Sequence, residues 1–249
     1  MMAEDRRRQL RAALTIDGSA PEVTAVCERC VTHLSVSGAG VTVLSHIGAN
    51  GDGPQRGLVH ATNDVSSGLE DLQLTVGEGP CLDAFATGGP VLISDLATDP
   101  ARWPGFGPAA LELGAAALFS FPLTIGVVRL GSLDLYRDAP GPMAGVTFSD
   151  ALLLADLATE AIVHDLDGHA TEDLSWLANP HAEVHQASGM VQVQLGSSTE
   201  VALLRLRSYA YQHELSVTEV AHQVVTRRLR FTGEDDPAQP GGERGERDR

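Results

Sequence analysis

The chain has 249 residues, of which 43% are hydrophobic, and its formal net charge is −16. This hydrophobic content excludes a wholly disordered protein, and the length suffices for one large core or two modest ones. No apolar run approaches the roughly 18 residues of a membrane-spanning helix, and the N-terminal residues do not form a secretion signal, so we expect a cytoplasmic location and no membrane partner.

Helices and strands are interleaved up to about residue 166. Helical patterns cover residues 6–15, 21–35, 68–76, 80–87 and 108–113. Short β-branched runs bounded by Gly, Pro, Asn and Asp predict strands at 40–48, 57–64, 90–96, 116–126 and 127–138. Strands with local turns, and helices that cannot each serve as a crossover, favour an antiparallel sheet with helices on one or both faces. This is an α+β domain.

A long helix is predicted over residues 147–168, with Gly168 after its end. The strand signals then stop. Asn179 and Pro180 supply the N-cap and the first residue of a helix over 180–195. Ser197 and Ser216 are each followed three residues later by glutamate, which predicts capping boxes for helices 198–213 and 216–230. These three short helices form a small bundle that buries little core of its own.

Three cysteines are too few for a disulfide framework, which fits a reducing compartment. Cys27 and Cys30 form a single C-x-x-C pair on an apolar helical stripe, and two thiolates leave zinc short of ligands. We therefore expect small core residues there and no metal site. Cys81 follows "GEGP" at a predicted helix start, where the helix terminus lowers the pKa of a thiol, so a redox sensor is an alternative.

The charge is distributed unevenly along the chain. Residues 1–165 hold nine arginines and 20 acidic residues, whereas residues 183–231 hold five arginines and four glutamates. Cationic side chains that contact phosphates provide most of the non-specific affinity for nucleic acids. Only residues 183–231 are therefore candidates for a nucleic-acid surface. The tail, 232–249, is rich in Gly, Pro and charge, which predicts disorder.

Two segments resemble known bacterial modules. "QASGM…LGSSTEVALLRLRSYA…SVTEVAHQVV" (186–225) resembles an ANTAR domain, the three-helix RNA-binding module of transcription antitermination regulators. "LTVGEGPCLDAFATGGPVLISDL" (74–96), with "RWPGF" (102–106) and "FPLTIGVVRLGSLDLY" (121–136), resembles the GAF domains that precede ANTAR modules in actinobacterial proteins. Together the resemblances cover about residues 10–230.

The resemblance implies a signal-responsive regulator without enzyme activity. A GAF-like sensor domain would occupy residues 1–166, with 149–166 as its signalling helix, followed by a linker (167–179) and an ANTAR-like bundle (180–231). The family's usual target is a leader RNA with two hairpins, and its usual working form is a homodimer. The sensor pocket would lie between the sheet and residues 68–87, with Cys81, Asp83 and Phe85 as candidate residues. Its ligand or cofactor is unknown, since haem, cyclic nucleotides and small metabolites are all compatible with the fold.

The family segment that matches Gln186–Met190 usually reads Gln-Ala-Lys-Gly-Met, so Ser188 stands where a lysine is usual. This substitution removes about one phosphate contact, although serine can still donate a hydrogen bond to phosphate. Gly189, in mid-helix, costs about 1 kcal/mol relative to alanine and predicts the close approach of another helix or of RNA. The candidate RNA-binding residues are Gln186, Ser188, Gly189, Arg205, Arg207, Tyr209, Arg227, Arg228 and Arg230.

Several alternatives stay open. Arg205 and Arg207 lie about 200° apart around a helix, so they cannot both face one RNA groove. Tyr209 and Tyr211 can stack on unpaired bases, or pack at the helix edge or a dimer seam. The bundle as a whole could be degenerate and serve only for dimerisation or for docking a protein. Free methionine-R-sulfoxide reductases are similar to GAF domains in fold, but only Cys81 lies in the matching pocket segments.

Overall fold

The computed structural model describes residues 2–15, 20–45, 55–168 and 182–232. The helices in these ranges are α1 (Met2–Ala12), α2 (Val23–Leu34), α3 (Asp64–Val76), α4 (Pro80–Thr87), α5 (Phe106–Glu112), α6 (Gly145–Gly168), α7 (Ala182–Leu195), α8 (Thr199–Gln212) and α9 (Val217–Val225). The strands are β1 (Gly38–Ser45), β2 (Gln55–Ala61), β3 (Val91–Ile93), β4 (Ala117–Ile125) and β5 (Val128–Arg137).

The five strands form one sheet in the order β2-β1-β5-β4-β3. Each neighbouring pair is antiparallel, with register shifts at Val41/Thr42 in β1 and at Leu123/Thr124 in β4. The predicted α+β fold with an antiparallel sheet is therefore confirmed.

The two faces of the sheet have different coverings, because successive side chains of a strand point to opposite faces. The odd-numbered residues of β1, β4 and β5 pack into the main core, together with buried side chains of α2 and α6. Among them are Ala39, Val41, Phe119, Phe121, Leu133 and Leu135. The even-numbered residues face α3 and α4. Both faces are thus covered, so a polar side chain on these strands can lie in the interior.

Helix α3 is enclosed on almost every side. It contacts β1, β2 and α5 within the sheet domain, and α8 and α9 of the C-terminal bundle. Of its 13 residues, only Asp64 is exposed. The Asn63 side chain caps the helix by accepting a hydrogen bond from the Ser66 backbone N–H at 2.9 Å. This helix therefore belongs to the packing of both the sheet domain and the bundle.

The bundle of α7, α8 and α9 has a core of small and medium side chains. They are Val184, Ala187, Val191, Ala202, Leu206, Ala210, Val217, Val220, Ala221, Val224, Leu229 and Phe231, joined by Leu74 of α3. Leu229 and Phe231 reach this core because the chain turns back after α9. The turn places Arg227 in the left-handed region at φ 60°.

Some predicted boundaries need correction. The N-cap of α8 is Ser198, whose side chain accepts from the Val201 backbone N–H. The predicted capping box of Ser197 and Glu200 is therefore wrong, because the cap lies one residue later and valine stands at the third helical position. The capping box of Ser216 and Glu219 is confirmed. Helix α9 ends at Val225 instead of residue 230, and α6 starts at Gly145 and includes Gly168.

Other predictions lie outside the described residues. These are the helix start at Asn179 and Pro180, most of the predicted linker, and the tail after Thr232. Among the helices that the structure describes, none combines the length and apolar character needed to cross a bilayer.

Candidate functional site

A cluster of buried polar groups lies between the sheet and helices α3 and α4. Glu70 of α3 and Asp134 of β5 are its carboxyl groups, and both are buried. The Thr42 hydroxyl donates to Glu70 Oε2 at 2.9 Å. The hydroxyls of Ser120 and Ser132 each donate to one Asp134 oxygen, the latter at 2.6 Å. Hydroxyl donors from three strands thus hold the two carboxyl groups in place.

The environment of Asp134 favours its protonated form. Burial raises the pKa of this carboxyl well above its ordinary value, and the neighbouring Glu70 charge raises it further. The hydrogen bonds from Ser120 and Ser132 act in the opposite direction but do not outweigh burial. Asp134 therefore keeps its proton to a higher pH than an ordinary aspartate and can share it with Glu70.

Cys81 completes the cluster from α4. Its thiol and the two carboxyl groups present one ligand atom each, and these three atoms lie within 4.8 Å of one another. The Cys81 backbone N–H donates to Gln73 Oε1 at 2.9 Å, which ties the start of α4 to α3. Gly79 makes this approach possible, because its φ is 140° and an added Cβ would lie 2.5 Å from Gln73 Oε1.

The cavity beside this cluster is small. Its volume is about 10 Å³, and its lining includes Gly40, Ser66, Glu70, Gln73 and Asp134 but not Cys81. The Ser66 hydroxyl is buried and has no hydrogen-bond partner among the described residues. A cavity of this size accommodates about one water molecule or one ion.

A wider cleft lies elsewhere, between α1, β4 and α6, with a volume of about 550 Å³. Arg7, Asp156, Glu160 and His164 line it. Glu160 already forms ion pairs with Arg7 and Arg11. This charged cleft is open to solvent, and the sequence analysis did not predict it.

The predicted pocket residues are divided by the structure. Cys81 lies in the polar cluster, and buried Phe85 packs beside it in a small apolar group with Leu44. Asp83 points elsewhere and forms an ion pair with Arg102 at 3.1 Å. Glu70 and Asp134 were not predicted as site residues from the sequence. The available signal was the set of polar residues within otherwise apolar strands, namely Thr42, Ser120, Ser132 and Asp134.

Cys27 and Cys30 are fully buried in the main core as free thiols. Burial raises the pKa of Cys27 to about 12 and that of Cys30 well above the ordinary value. Neither thiol therefore has the thiolate character that reactive cysteines need. This agrees with the prediction that the pair consists of core residues.

The bundle is attached to the outer side of α3. Arg207 Nε donates to the Leu74 carbonyl oxygen at 2.8 Å, and the Val217 backbone N–H donates to Thr75 Oγ1 at 3.1 Å. The Thr218 hydroxyl donates to the Asp71 carboxylate. The guanidinium of Arg207 also packs against Gly77. Arg207, a predicted RNA-binding residue, is therefore engaged at this docking surface.

Other predicted RNA-binding residues are also placed inward. Ser188 is 2% exposed, and its hydroxyl donates to the Val184 carbonyl oxygen of its own helix at 2.7 Å. Tyr209 is half-buried and stacks on His213, with the Phe231 ring on its edge. Ser188 therefore lacks the open position that a phosphate contact needs, and Tyr209 takes the alternative position, packed at the edge of the helix.

The remaining candidates are accessible. Gln186, Arg205, Arg227, Arg228 and Arg230 are exposed, and Tyr211, weighed with Tyr209 for stacking, is 77% exposed. Among the described residues, Arg227, Arg228 and Arg230 take part in no ion pair. An added Cβ at Gly189 would meet nothing within 4 Å, so no helix of the described chain occupies the space beside it.

Arg205 and the C-terminal arginines are all exposed on the bundle. Arg205 is one helical turn before Tyr209, so both lie on one side of α8. Tyr209 contacts the ring of Phe231, whose centroid is 5.8 Å away, and Phe231 directly follows Arg230. We call Arg205, Arg227, Arg228 and Arg230 the arginine face. Since Arg205 and Arg207 are about 200° apart on α8, Arg205 points away from the docking surface that holds Arg207.

Comparison with protein families matches residues 22–163, more than half of the chain, to a model described as a GAF domain. No ANTAR match was found. Comparison with curated proteins gave no match.

Solved structures with a similar fold include two GAF domains from phosphoenolpyruvate-protein phosphotransferases. The one from Coxiella burnetii has 19% identity and a TM-score of 0.49, and the match covers 67% of this chain and 96% of that one. The one from Acinetobacter has 14% identity and a TM-score of 0.48, with coverage of 68% and 97%. A type II free methionine-R-sulfoxide reductase from Thermoplasma acidophilum has 16% identity and a TM-score of 0.40, with coverage of 66% and 96%.

Proposed function

Because the chain belongs to the GAF domain family through residues 22–163, we propose that it is a signal-responsive regulator whose C-terminal bundle binds structured RNA. GAF domains are signal-sensing modules in sensor kinases and regulators. In this proposal the polar cluster between the sheet and α3 is the sensor site. The bundle is the output module, and its target is a leader RNA with two hairpins, as the resemblance of residues 186–225 to an ANTAR domain implies.

The observation that carries the RNA-binding proposal is the arginine face. Its four arginines are exposed. Arg227, Arg228 and Arg230 follow the C-terminal end of α9, whereas the start of that helix, at Val217 and Thr218, contacts the sheet domain. Arginine forms bidentate hydrogen bonds with phosphates and stacks on bases, which suits RNA loops. Tyr211 is an exposed stacking surface on the same module. Arg207, Ser188 and Tyr209 have other partners, so we leave them out of the proposed surface.

Helix α3 is the proposed link between sensing and output. Ser66, Glu70 and Gln73 line the cavity, whereas Asp71, Leu74 and Thr75 contact the bundle. A ligand that binds one position of α3 more tightly than another would shift the population of docked bundles. The predicted signalling helix, residues 149–166 of α6, packs on α1, α2 and the sheet, and α3 is a second proposed route of coupling.

Filter binding tests the proposal with the purified chain and a pool of two-hairpin RNAs with randomised loops. We expect an affinity that falls with salt. In an Arg227→Ala/Arg228→Ala/Arg230→Ala variant, the slope of log K against log salt should be smaller by about 2 to 3, since each phosphate contact contributes about 0.7–0.9. Arg8→Ala, an exposed arginine of the sheet domain, is the control for charge. No binding above background, or equal slopes in both variants, contradicts the proposal.

A second function is supported by exposed apolar side chains on the bundle. Leu204 is 60% exposed on α8, near the exposed Tyr211, and open space lies beside Gly189 on α7. These features suit a homodimer or a docked protein. If this function holds, Leu204→Glu disrupts a dimer seen by analytical ultracentrifugation, whereas the triple arginine variant leaves the dimer intact.

A further inference from the structure

The polar cluster has the composition of a cation site. Glu70, Cys81 and Asp134 come from three different elements, α3, α4 and β5, yet their ligand atoms lie within 4.8 Å of one another. The chain has no lysine, and none of the described residues that line the cavity is basic. Two carboxyl groups and a thiol are thus gathered in the interior without a basic side chain at the cavity.

Each of the three groups is oriented by a neighbour, as metal ligands usually are. Thr42 donates to Glu70, Ser120 and Ser132 donate to Asp134, and Gln73 holds the backbone of Cys81. A carboxylate oxygen that accepts one hydrogen bond keeps a second lone pair for an ion. The hydroxyl bonds therefore fix the two carboxyl groups, which also hydrogen-bond each other, in positions where one ion can replace the proton between them.

The Ser66 hydroxyl is an independent sign that the cavity takes a polar occupant. Ser66 is 4% exposed and lines the same cavity, and its Oγ has no hydrogen-bond partner among the described residues. A buried hydroxyl without a partner is costly. The cavity has space for one ion or one water molecule and not for an organic metabolite.

We propose that Glu70, Cys81 and Asp134 bind a single divalent transition-metal ion of the zinc type. One thiolate and two carboxylates form a mixed sulfur and oxygen set, which suits zinc better than magnesium or calcium. Zinc lies about 2.0–2.3 Å from such ligands, so small side-chain rotations bring all three onto one ion. A water molecule completes the coordination and hydrogen-bonds the Ser66 hydroxyl. On binding, the thiol proton and any carboxyl proton pass to solvent.

The proposed ion has a direct connection to the bundle. Glu70 is adjacent in sequence to Asp71, which bonds Thr218 of α9. Binding of an ion that repositions Glu70 therefore acts on the helix that carries the docking surface. The regulatory meaning of the site rests on the proposed function, whereas metal binding itself does not.

Equilibrium dialysis of the full chain, freed of metal and kept reduced, against Zn²⁺ tests the site without RNA. We expect one tightly bound equivalent, and a loss of affinity of about 100-fold or more in Glu70→Gln, Asp134→Asn and Cys81→Ser, since even changes to outer-shell partners cost about 10–100-fold. Asp83→Asn is the matched control, because this carboxylate lies on α4 outside the cluster. Unchanged affinity in all three ligand variants, or no bound zinc in the wild type, overturns the proposal.

Cobalt provides a measurement on the wild-type chain that does not depend on the ligand variants folding. Co²⁺ bound to the wild-type chain should give a thiolate-to-metal charge-transfer band in the near ultraviolet. A Cys27→Ala/Cys30→Ala variant, which keeps Cys81 as its sole thiol, should retain the band. Its absence from the wild-type spectrum overturns thiolate ligation. RNA affinity is then measured with and without Zn²⁺: metal binding without RNA binding contradicts only the proposed function, and RNA binding without metal binding contradicts only this inference.

Discussion

The sheet domain and the C-terminal bundle differ in how much of their core they provide themselves. The main core of the sheet domain contains large side chains, including Phe119, Phe121 and Leu154, from its own strands and helices. The bundle core consists mostly of alanine and valine and includes Leu74 from α3 of the sheet domain. A module of about 50 residues buries too little surface to be robust alone. The bundle is therefore stabilised by docking, which makes its stability responsive to the sensor domain.

Removing the Leu74 side chain should have the largest effect on the stability of the bundle relative to that of the sheet domain. Leu74→Ala should cost about 3 kcal/mol, because it leaves a cavity where the two regions meet. Hydrogen exchange should accelerate in α8 and α9 and change little in β4 and β5. Leu69→Ala is the control, since Leu69 lies on α3 but packs toward Trp103 and Phe106 in the sheet domain. Equal acceleration of hydrogen exchange in the bundle of both variants would contradict a specific role of Leu74.

Breaking an ion pair within the sheet domain should leave the bundle unaffected. Arg6 bonds Asp150 at 2.6 Å, and His33 contacts the same carboxylate at 2.9 Å. The hydrogen bond from Arg6 is the main reason that the pKa of Asp150 is lowered. A lowered carboxyl pKa stabilises the fold above its ordinary value of about 3.9, and this stabilisation is lost as the pH falls through the lowered value.

Asp150→Asn should therefore cost about 1.5 kcal/mol near neutral pH, and the deficit should shrink below about pH 4. Urea denaturation at a series of pH values measures it, and hydrogen exchange in α7 to α9 should be unchanged. Asp156→Asn, an exposed acid on the same helix, is the control. A deficit that grows on acidification would show that the ion pair is not its cause.

A single hydrogen bond at the docking surface gives a smaller test. Thr75→Val removes the acceptor of the Val217 backbone N–H and should cost about 1 kcal/mol. Thr159→Val is the control, because the Thr159 hydroxyl bonds only within α6, to the Ala155 carbonyl oxygen. Thermal unfolding of the two variants should separate them. If the Thr159 variant loses as much stability, the hydrogen bond between Val217 and Thr75 contributes nothing specific to docking.

The smallest expected change in stability is an increase. Gly189→Ala should stabilise α7 by about 0.5–1 kcal/mol, since alanine is the better helix former and the space beside it is open. If RNA or a second copy of the chain uses that space, the variant should bind it less well while unfolding at a higher temperature. Higher stability with unchanged RNA affinity and unchanged dimerisation would show that Gly189 belongs neither to the RNA-binding surface nor to a dimer interface.

Local patterns predicted most of the elements. Helix α4 occupies the predicted residues 80–87, because proline at its start and Gly88 at its end mark both boundaries. The capping box at Ser216 likewise contains its whole signal within four residues. At the start of α8 two serines compete for one cap, and the neighbour of the predicted residue is used.

Contacts between distant segments could not be predicted in this way. The angle between Arg205 and Arg207 follows from helix geometry, but only the pairing of Arg207 with Leu74, 133 residues away, shows which of them is exposed. Acidic residues such as Glu70 and Asp134 are typical of the protein surface. They are buried here because α3 and α4 pack on that face of the sheet. Ser188 was expected at the surface, yet a serine hydroxyl can satisfy itself on its own helix and turn inward.

The enclosure of α3 limits the form that a response can take. Helix α3 packs against the sheet domain on one side and against the bundle on the other. Because well-packed interfaces have discrete arrangements, the helix cannot move by small steps relative to only one of these neighbours. We therefore expect each molecule to occupy one of two states, with few molecules at intermediate positions, and a rising signal to change only the fraction of molecules in each state. Single-molecule distance measurements between the sheet domain and the bundle would then show two populations. One population should grow and the other shrink as the signal rises.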